Sequence, residues 1–193
     1  MAPMRNHTRR LASMTMHRYL TVVLAGLALG FLASGLHAGT VAAKTDPDAE
    51  FAKNAIQKGM AEIAFGQLAP QRAANPRVKQ LAQHIVEDHV RLDDELMDLV
   101  RNETFNDTFE APKELDPEHN VTKARLSVLT GAAFDHEYLD AILKDYVRYI
   151  TFIREYAQHG KNTSLTSWAA RTLVMLRKNQ QLASVTAQEI KAP

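Results

Sequence analysis

The sequence predicts an all-α fold: a four-helix bundle whose second and third long helices are joined by a long crossover containing a short helix. Three observations predict it. Apolar residues recur at the helical period of about 3.6 along four long stretches, and no stretch alternates as a half-buried strand would. Asp46-Pro47, Asn75-Pro76 and Asp116-Pro117 each pair a capping side chain with the residue best suited to a first helical position. About 30 residues separate the second long stretch from the third, whereas plain up-down bundles use short loops.

Residues 1–43 read as a secretory signal peptide. Arg5, Arg9, Arg10 and Arg18 precede an apolar run from Tyr19 to Leu32, and small residues follow. Leu36-His37-Ala38 and Val41-Ala42-Ala43 are candidate cleavage sites, and Met14 or Met16 would start a leader of more ordinary length. The run is short and Gly-rich for a membrane span; an uncleaved anchor is the alternative reading and the one expected route to a membrane. No cysteine lies near the cleavage region, which excludes a lipoprotein anchor. Residues 44–193 are expected to form a single domain, long enough for a real core.

Asp46-Pro47 opens a first helix predicted to run to about residue 72. Asn75-Pro76 opens a second, to about residue 101, and the very short join makes the two antiparallel neighbours. Residues 102–115 are mixed and polar, contain Pro112 and read as a loop. Asp116-Pro117 starts a short helix to about residue 129, which Gly131 ends. A long helix follows over about residues 132–158 and stops at His159-Gly160. Thr163 or Ser164 is expected to cap the last helix, to about residue 190. A connection as long as 102–131 can travel the length of a bundle, so the order is hairpin, crossover, hairpin, the ferritin-like arrangement.

Composition removes several function classes. After residue 43 there are 19 basic residues against 22 acidic ones, a net charge of −3, and the charges are scattered. Nucleic-acid binding therefore has no support. With no cysteine there is no disulfide framework, thiolate metal site or thiol nucleophile.

The informative feature is polar residues on apolar stripes. Glu62 falls in the middle of the stripe Phe51, Ala55, Gly59, Gly66 and Ala69, whose small residues let a partner helix approach closely. His89 lies inside Val78, Leu81, Ala82, Ile85, Leu92 and Leu96. Asp135 lies inside Tyr138, Leu139, Ile142, Tyr149 and Ile153, and Asn179 inside Leu165, Trp168, Thr172, Leu176 and Ala183. An ionised group at such a position is costly unless paired, hydrogen-bonded or bound to a metal. Glu62 is either a ligand or a buried acid bonded to Tyr138 or Tyr146. His89 is either a ligand or a satisfied core histidine. Asp88, at the stripe's edge, is a second candidate ligand, and Asp135 either joins the core site or favours its helix dipole. Asn179 is a poor transition-metal ligand. His119, His136 and His159 fall off the stripes or at helix ends and are expected to face water. The chain has no Glu-x-x-His, so the paired motifs of di-iron bundles are missing. No catalytic constellation is complete, and an enzyme is not expected.

Gly59-Met60-Ala61-Glu62, Gly66-Gln67-Leu68-Ala69, Asn75 to Ala82, Asp88-His89, and Gly131 to Asp135 with Tyr138 together resemble an exported bacterial family, domain of unknown function 4142, grouped with the ferritin-like bundles. The resemblance covers about residues 48–186. It implies an exported bundle, located in the periplasm or envelope, with a polar core site and no settled activity. The family also carries a histidine midway along its third long helix and a Leu-Pro-x-Leu-x-x-His in its last. Here those positions hold Tyr146, Val174 in place of the proline, and Asn179.

Two functional readings follow. The first is a non-enzymatic binding or structural protein with a degenerate core metal site, its polar cluster completed by Tyr138, Tyr146 and Asn179, and an envelope protein as partner. The second is a periplasmic metal-binding protein holding a divalent ion with Glu62, Asp88, His89 and Asp135. In the first, Glu62→Leu is expected to cost on the order of 1–3 kcal/mol by leaving partners unpaired; in the second, Glu62→Gln is expected to abolish binding and to lower the melting temperature only when metal is present. Export gives the first testable expectation: mass spectrometry of the protein from its native cell should find a mature N-terminus between about residues 39 and 46. An intact residue 1–38 segment on a soluble cytoplasmic protein would defeat it.

Overall fold

Proline and its preceding cap set the helix starts. The structure, a computed structural model, describes residues 46–102 and 109–191. Six helices lie in this range: α1 Pro47–Gly66, α2 Ala69–Arg72, α3 Pro76–Asn102, α4 Pro117–Val128, α5 Gly131–His159 and α6 Thr163–Lys191. The expected signal peptide and its boundary with the domain lie outside the described residues. Asp46 accepts from the Asp48 backbone N–H at 3.0 Å, Asn75 from that of Arg77 at 2.9 Å, and Asp116 from that of His119 at 2.9 Å. Each cap satisfies a donor that its helix start leaves free.

Two boundaries differ from the sequence expectation. The first helix ends at Gly66, and α2 is a separate turn. Pro70 has no N–H, and its ring would clash with the carbonyl of Gly66 four residues earlier, so the long helix cannot continue through it. The cap of α6 is Asn162, not Thr163 or Ser164, because its side chain accepts the Leu165 N–H at 3.0 Å.

The long helices form a four-cornered bundle. α1 packs along α3, and α5 along α6; α3 also packs on α6, and α1 on α5. This leaves α3 diagonal to α5. Gly131 at the start of α5 pairs with Ala73 just before α3, so both helices begin at the same end. At the opposite corner, Tyr156 near the end of α5 donates to Asp48 at the start of α1 at 2.5 Å. The connection from α3 to α5 therefore travels the length of the bundle, and α4 lies within it against α1 and α5.

The core is filled by Trp168, Tyr138, Tyr146, Tyr149, Phe65 and Phe134, all essentially without exposure, and by Leu and Ile residues between them. The small-residue stripe on α1 does what its pattern implied. A Cβ added at Gly66 would come within 2.6 Å of Val86 Cγ2 and 3.0 Å of the Ala82 carbonyl oxygen. Val86 is β-branched and has few rotamers to yield with, and the carbonyl belongs to the α3 backbone. Gly66→Ala should therefore push α1 and α3 apart and cost about 1–3 kcal/mol despite its higher helix propensity. Chemical denaturation would show this as a lower midpoint, and an unchanged midpoint would refute the close approach.

Candidate functional site

Glu62 is delivered to the core by α1 and is 1% exposed. Neither carboxyl oxygen has a hydrogen-bond partner among the described residues. Burial pushes its pKa well above the usual range, the charge of Asp145 pushes the same way, and Lys58 opposes them. The shift favours the neutral acid, because desolvation penalises the charged form most. Burial also raises the hydroxyls of Tyr138 and Tyr146 well above 10, with the Glu62 charge adding to it. At Tyr149, burial is followed by Asp93 and then Glu62. All three tyrosines come from α5 and sit close enough to Glu62 to feel its charge.

His89, on α3, is fully buried and faces the same tyrosines. Its Nε2 lies 3.3 Å from Tyr146 Oη, and its ring lies near-parallel to those of Tyr146 and Tyr149 at 6.2 and 5.9 Å. Burial lowers its pKa to about 4, against a smaller opposing effect of Asp88, so the imidazole is neutral near pH 7. Its Nδ1 has no hydrogen-bond partner among the described residues. Asn179 of α6 donates to Asp88 Oδ2 at 3.1 Å. Arg91 holds the other Asp88 oxygen at 2.7 Å. Tyr146 and Asn179, which occupy the positions where the resemblance implies imidazoles, are therefore joined to His89 and Asp88.

Asp135 does not join this cluster. Its two oxygens accept the backbone N–H groups of Ala74 and Asn75 at 3.2 and 2.9 Å. The first turn of α5 lies beside the join between α2 and α3, where free helix-start donors are available. Its place on the helical wheel was right, but it sits one end too high along the axis to meet Glu62. Asp88 is likewise committed to Arg91 and Asn179. Among the described residues no three His, Asp or Glu side chains are grouped so as to hold a metal ion. The unpartnered donors left in the core cluster, Glu62 and His89 Nδ1 with the neutral Asn179 and tyrosine oxygens, do not make a transition-metal set. The ligand set Glu62, Asp88, His89 and Asp135 is thus not assembled.

A second group of titratable residues was missed in the sequence. His119 does not face water; it is 4% exposed. Its Nδ1 is 2.5 Å from Asp116 Oδ2 and its Nε2 is 3.0 Å from Asp145 Oδ2. Arg148 bridges Asp145 and Glu118. Burial lowers the His119 pKa, but hydrogen bonds and charge from Asp145 and then Asp116 outweigh it, and the net shift is upward. Asp145 moves down, its burial outweighed by bonds to His119 and Arg148. Lys58, Glu62, His119, Asp145 and Tyr149 line a void too narrow to admit a water-sized sphere. The available signal was Asp116 three residues before His119, a spacing that brings both side chains to one face of a helix start.

A model of the domain of unknown function DUF4142 matches residues 34–185. The chain belongs to the DUF4142 family. The crystal structure of a protein described as a secreted protein DUF305 from Streptomyces coelicolor superposes with a TM-score of 0.62 at 15% identity. The match covers 75% of this chain and 92% of that one, and it speaks for the shared helical fold alone. None of the curated proteins matches the chain.

Glu62 now carries a revised expectation. Because no described group bonds to it, the cost foreseen for Glu62→Leu from unpaired partners has no basis here. In the unfolded chain the acid ionises above about 4.5, whereas the folded protein keeps its proton, so its contribution falls as pH rises from there toward the raised folded value. Glu62→Leu and Glu62→Gln should both fold, and thermal melts from about pH 5 to pH 8 should show a shallower loss of stability than wild type. A Leu variant that melts lower than wild type at every pH would reveal a hidden partner.

Proposed function

We propose that this chain is an exported, ferritin-like helical bundle of the cell envelope or periplasm that works as a non-enzymatic binding or structural protein. Its degenerate metal site is occupied by Tyr146 and Asn179, which bond to His89 and Asp88. In this reading residues 1–43 are the removed signal peptide and 44–193 the mature domain. The hairpin, crossover, hairpin order supports the ferritin-like assignment. The basic start and apolar run support export, and the matched Streptomyces protein is itself described as secreted. No described helix is long and apolar enough to cross a membrane.

One observation carries the reading of the core. Tyr146 and Asn179, in place of two imidazoles, close onto His89 and Asp88 instead of leaving ligand positions open. Tyrosine and asparagine each donate and accept, so they can complete a core network with no ion.

The deciding measurement is metal content. Purified mature protein exposed in turn to iron, manganese, zinc and copper, then desalted, should retain none of them stoichiometrically, and its melting temperature should not move. A retained ion that raises the melting temperature, and is lost in His89→Ala, would replace this reading with the metal-binding one.

A further inference from the structure

The crossover helix is held to the bundle by very little. Of the 12 residues of α4, only His119 and Leu126 are buried. Its ion pairs to the bundle among the described residues, apart from those of His119, are Glu118–Arg148 and Arg125–Glu137, which are solvent-exposed and worth little each. Just before α4, Gln57 of α1 donates to the Glu114 carbonyl at 2.6 Å. His119 is therefore the main polar anchor.

That anchor has an unusual requirement. Both ring nitrogens face carboxylate oxygens, Asp116 at Nδ1 and Asp145 at Nε2. A carboxylate only accepts, and a neutral imidazole donates from one nitrogen while presenting a lone pair at the other. Only the imidazolium satisfies both contacts. Loss of its proton turns one charge-assisted bond into a lone pair facing a negative oxygen. The groups around it sharpen the effect. From α4 come Asp116 and Glu118; from α5, Asp145 and Arg148; from α1, Lys58 and Glu62. Once His119 is neutral, Arg148 and Lys58 are the cations left among these acids.

We propose that α4 is a proton-dependent latch: it is closed on α1 and α5 while His119 carries its proton, and it is released, uncovering the void lined by Glu62, when that proton leaves. The sign follows from the upward shift of His119. A group whose folded pKa lies above its unfolded value of 6.5 contributes fully below 6.5, and its contribution is lost as pH rises through the raised value. Release therefore belongs to the neutral-to-alkaline side, where the lowered Asp116 and Asp145 stay ionised.

Hydrogen exchange of the whole mature protein tests this, with rates corrected for the intrinsic effect of pH. Between about pH 6 and pH 9, amides of α4 should lose protection by about tenfold, the change that one charge-assisted hydrogen bond commands. Mid-helix amides of α5 should follow the global stability alone, with no step at the His119 titration. The midpoint should coincide with the titration of the His119 ring followed by NMR. His119→Gln, which can donate from one end only, should leave α4 less protected at pH 6 than wild type, and the extra loss of α4 protection over that of α5 should no longer depend on pH. If that variant does not fold, the wild-type titration decides alone. Equal protection of α4 at both pH values would overturn the latch, as would a release midpoint away from the His119 titration or a Gln variant with wild-type pH dependence.

Discussion

A charge buried without partners would cost this bundle more than most single contacts supply, and the helices nevertheless carry several acids inward. Each is neutralised differently. Glu62 keeps its proton. Asp135 gives its two oxygens to backbone amides at the start of α3. Asp88 is shared between Arg91 and Asn179. Asp145 lies between His119 and Arg148. Histidine follows the same rule in both directions: burial among tyrosines favours the neutral form of His89, whereas the carboxylates on either side of His119 favour its charged form. The layout of helices is in large part the set of positions at which these solutions are available.

The clearest case is the corner where α5 begins. Asp135 binds the Ala74 and Asn75 amides, Arg72 donates to the Leu129 carbonyl at 3.3 Å, and Gly131 pairs with Ala73. Gly131 has φ +67°, a left-handed conformation in which glycine alone carries no side-chain penalty. These ties pin the start of α5 to the start of α3. Once that end is pinned, the segment after α3 has to return along the whole bundle, and α4 is laid across α1 and α5 on the way. The position of His119 beside Asp145 is thus a consequence of topology as much as of local sequence.

Much of this was legible in the residues. Period, proline and cap gave the four long helices and the crossover. The Gly/Ala stripe gave the close α1–α3 contact, and Glu62 and His89 were correctly placed inside. What failed was height along the axis. A helical wheel reports angle only, so Asp135 looked like a core ligand although it lies at the bundle's end, beside free amides. His119 failed for a related reason. A helix that buries two residues in 12 leaves no stripe to read, and its burial comes from partners on α1 and α5 that only the fold brings near. Pro70 was readable and was overlooked; its ring forbids the continuation that the apolar pattern suggested.

The buried groups also pull stability in opposite directions as pH changes. His89, with a folded pKa of about 4, favours the folded state more as pH rises from there to 6.5. Asp93, raised to about 8 mainly by burial and then by Asp94, acts the other way from 3.8 upward, and Glu62 acts with it from 4.5. Two falling contributions therefore meet one rising one between about 4.5 and 6.5. Above 6.5 the rising one is complete, and His119 joins the falling side. Loosening with rising pH is thus a property of the whole core, on which α4 has the weakest hold. A crossover anchored by one imidazolium is the element that this tendency reaches first, because its own contact shares the sign of the interior acids and has little packing to oppose it.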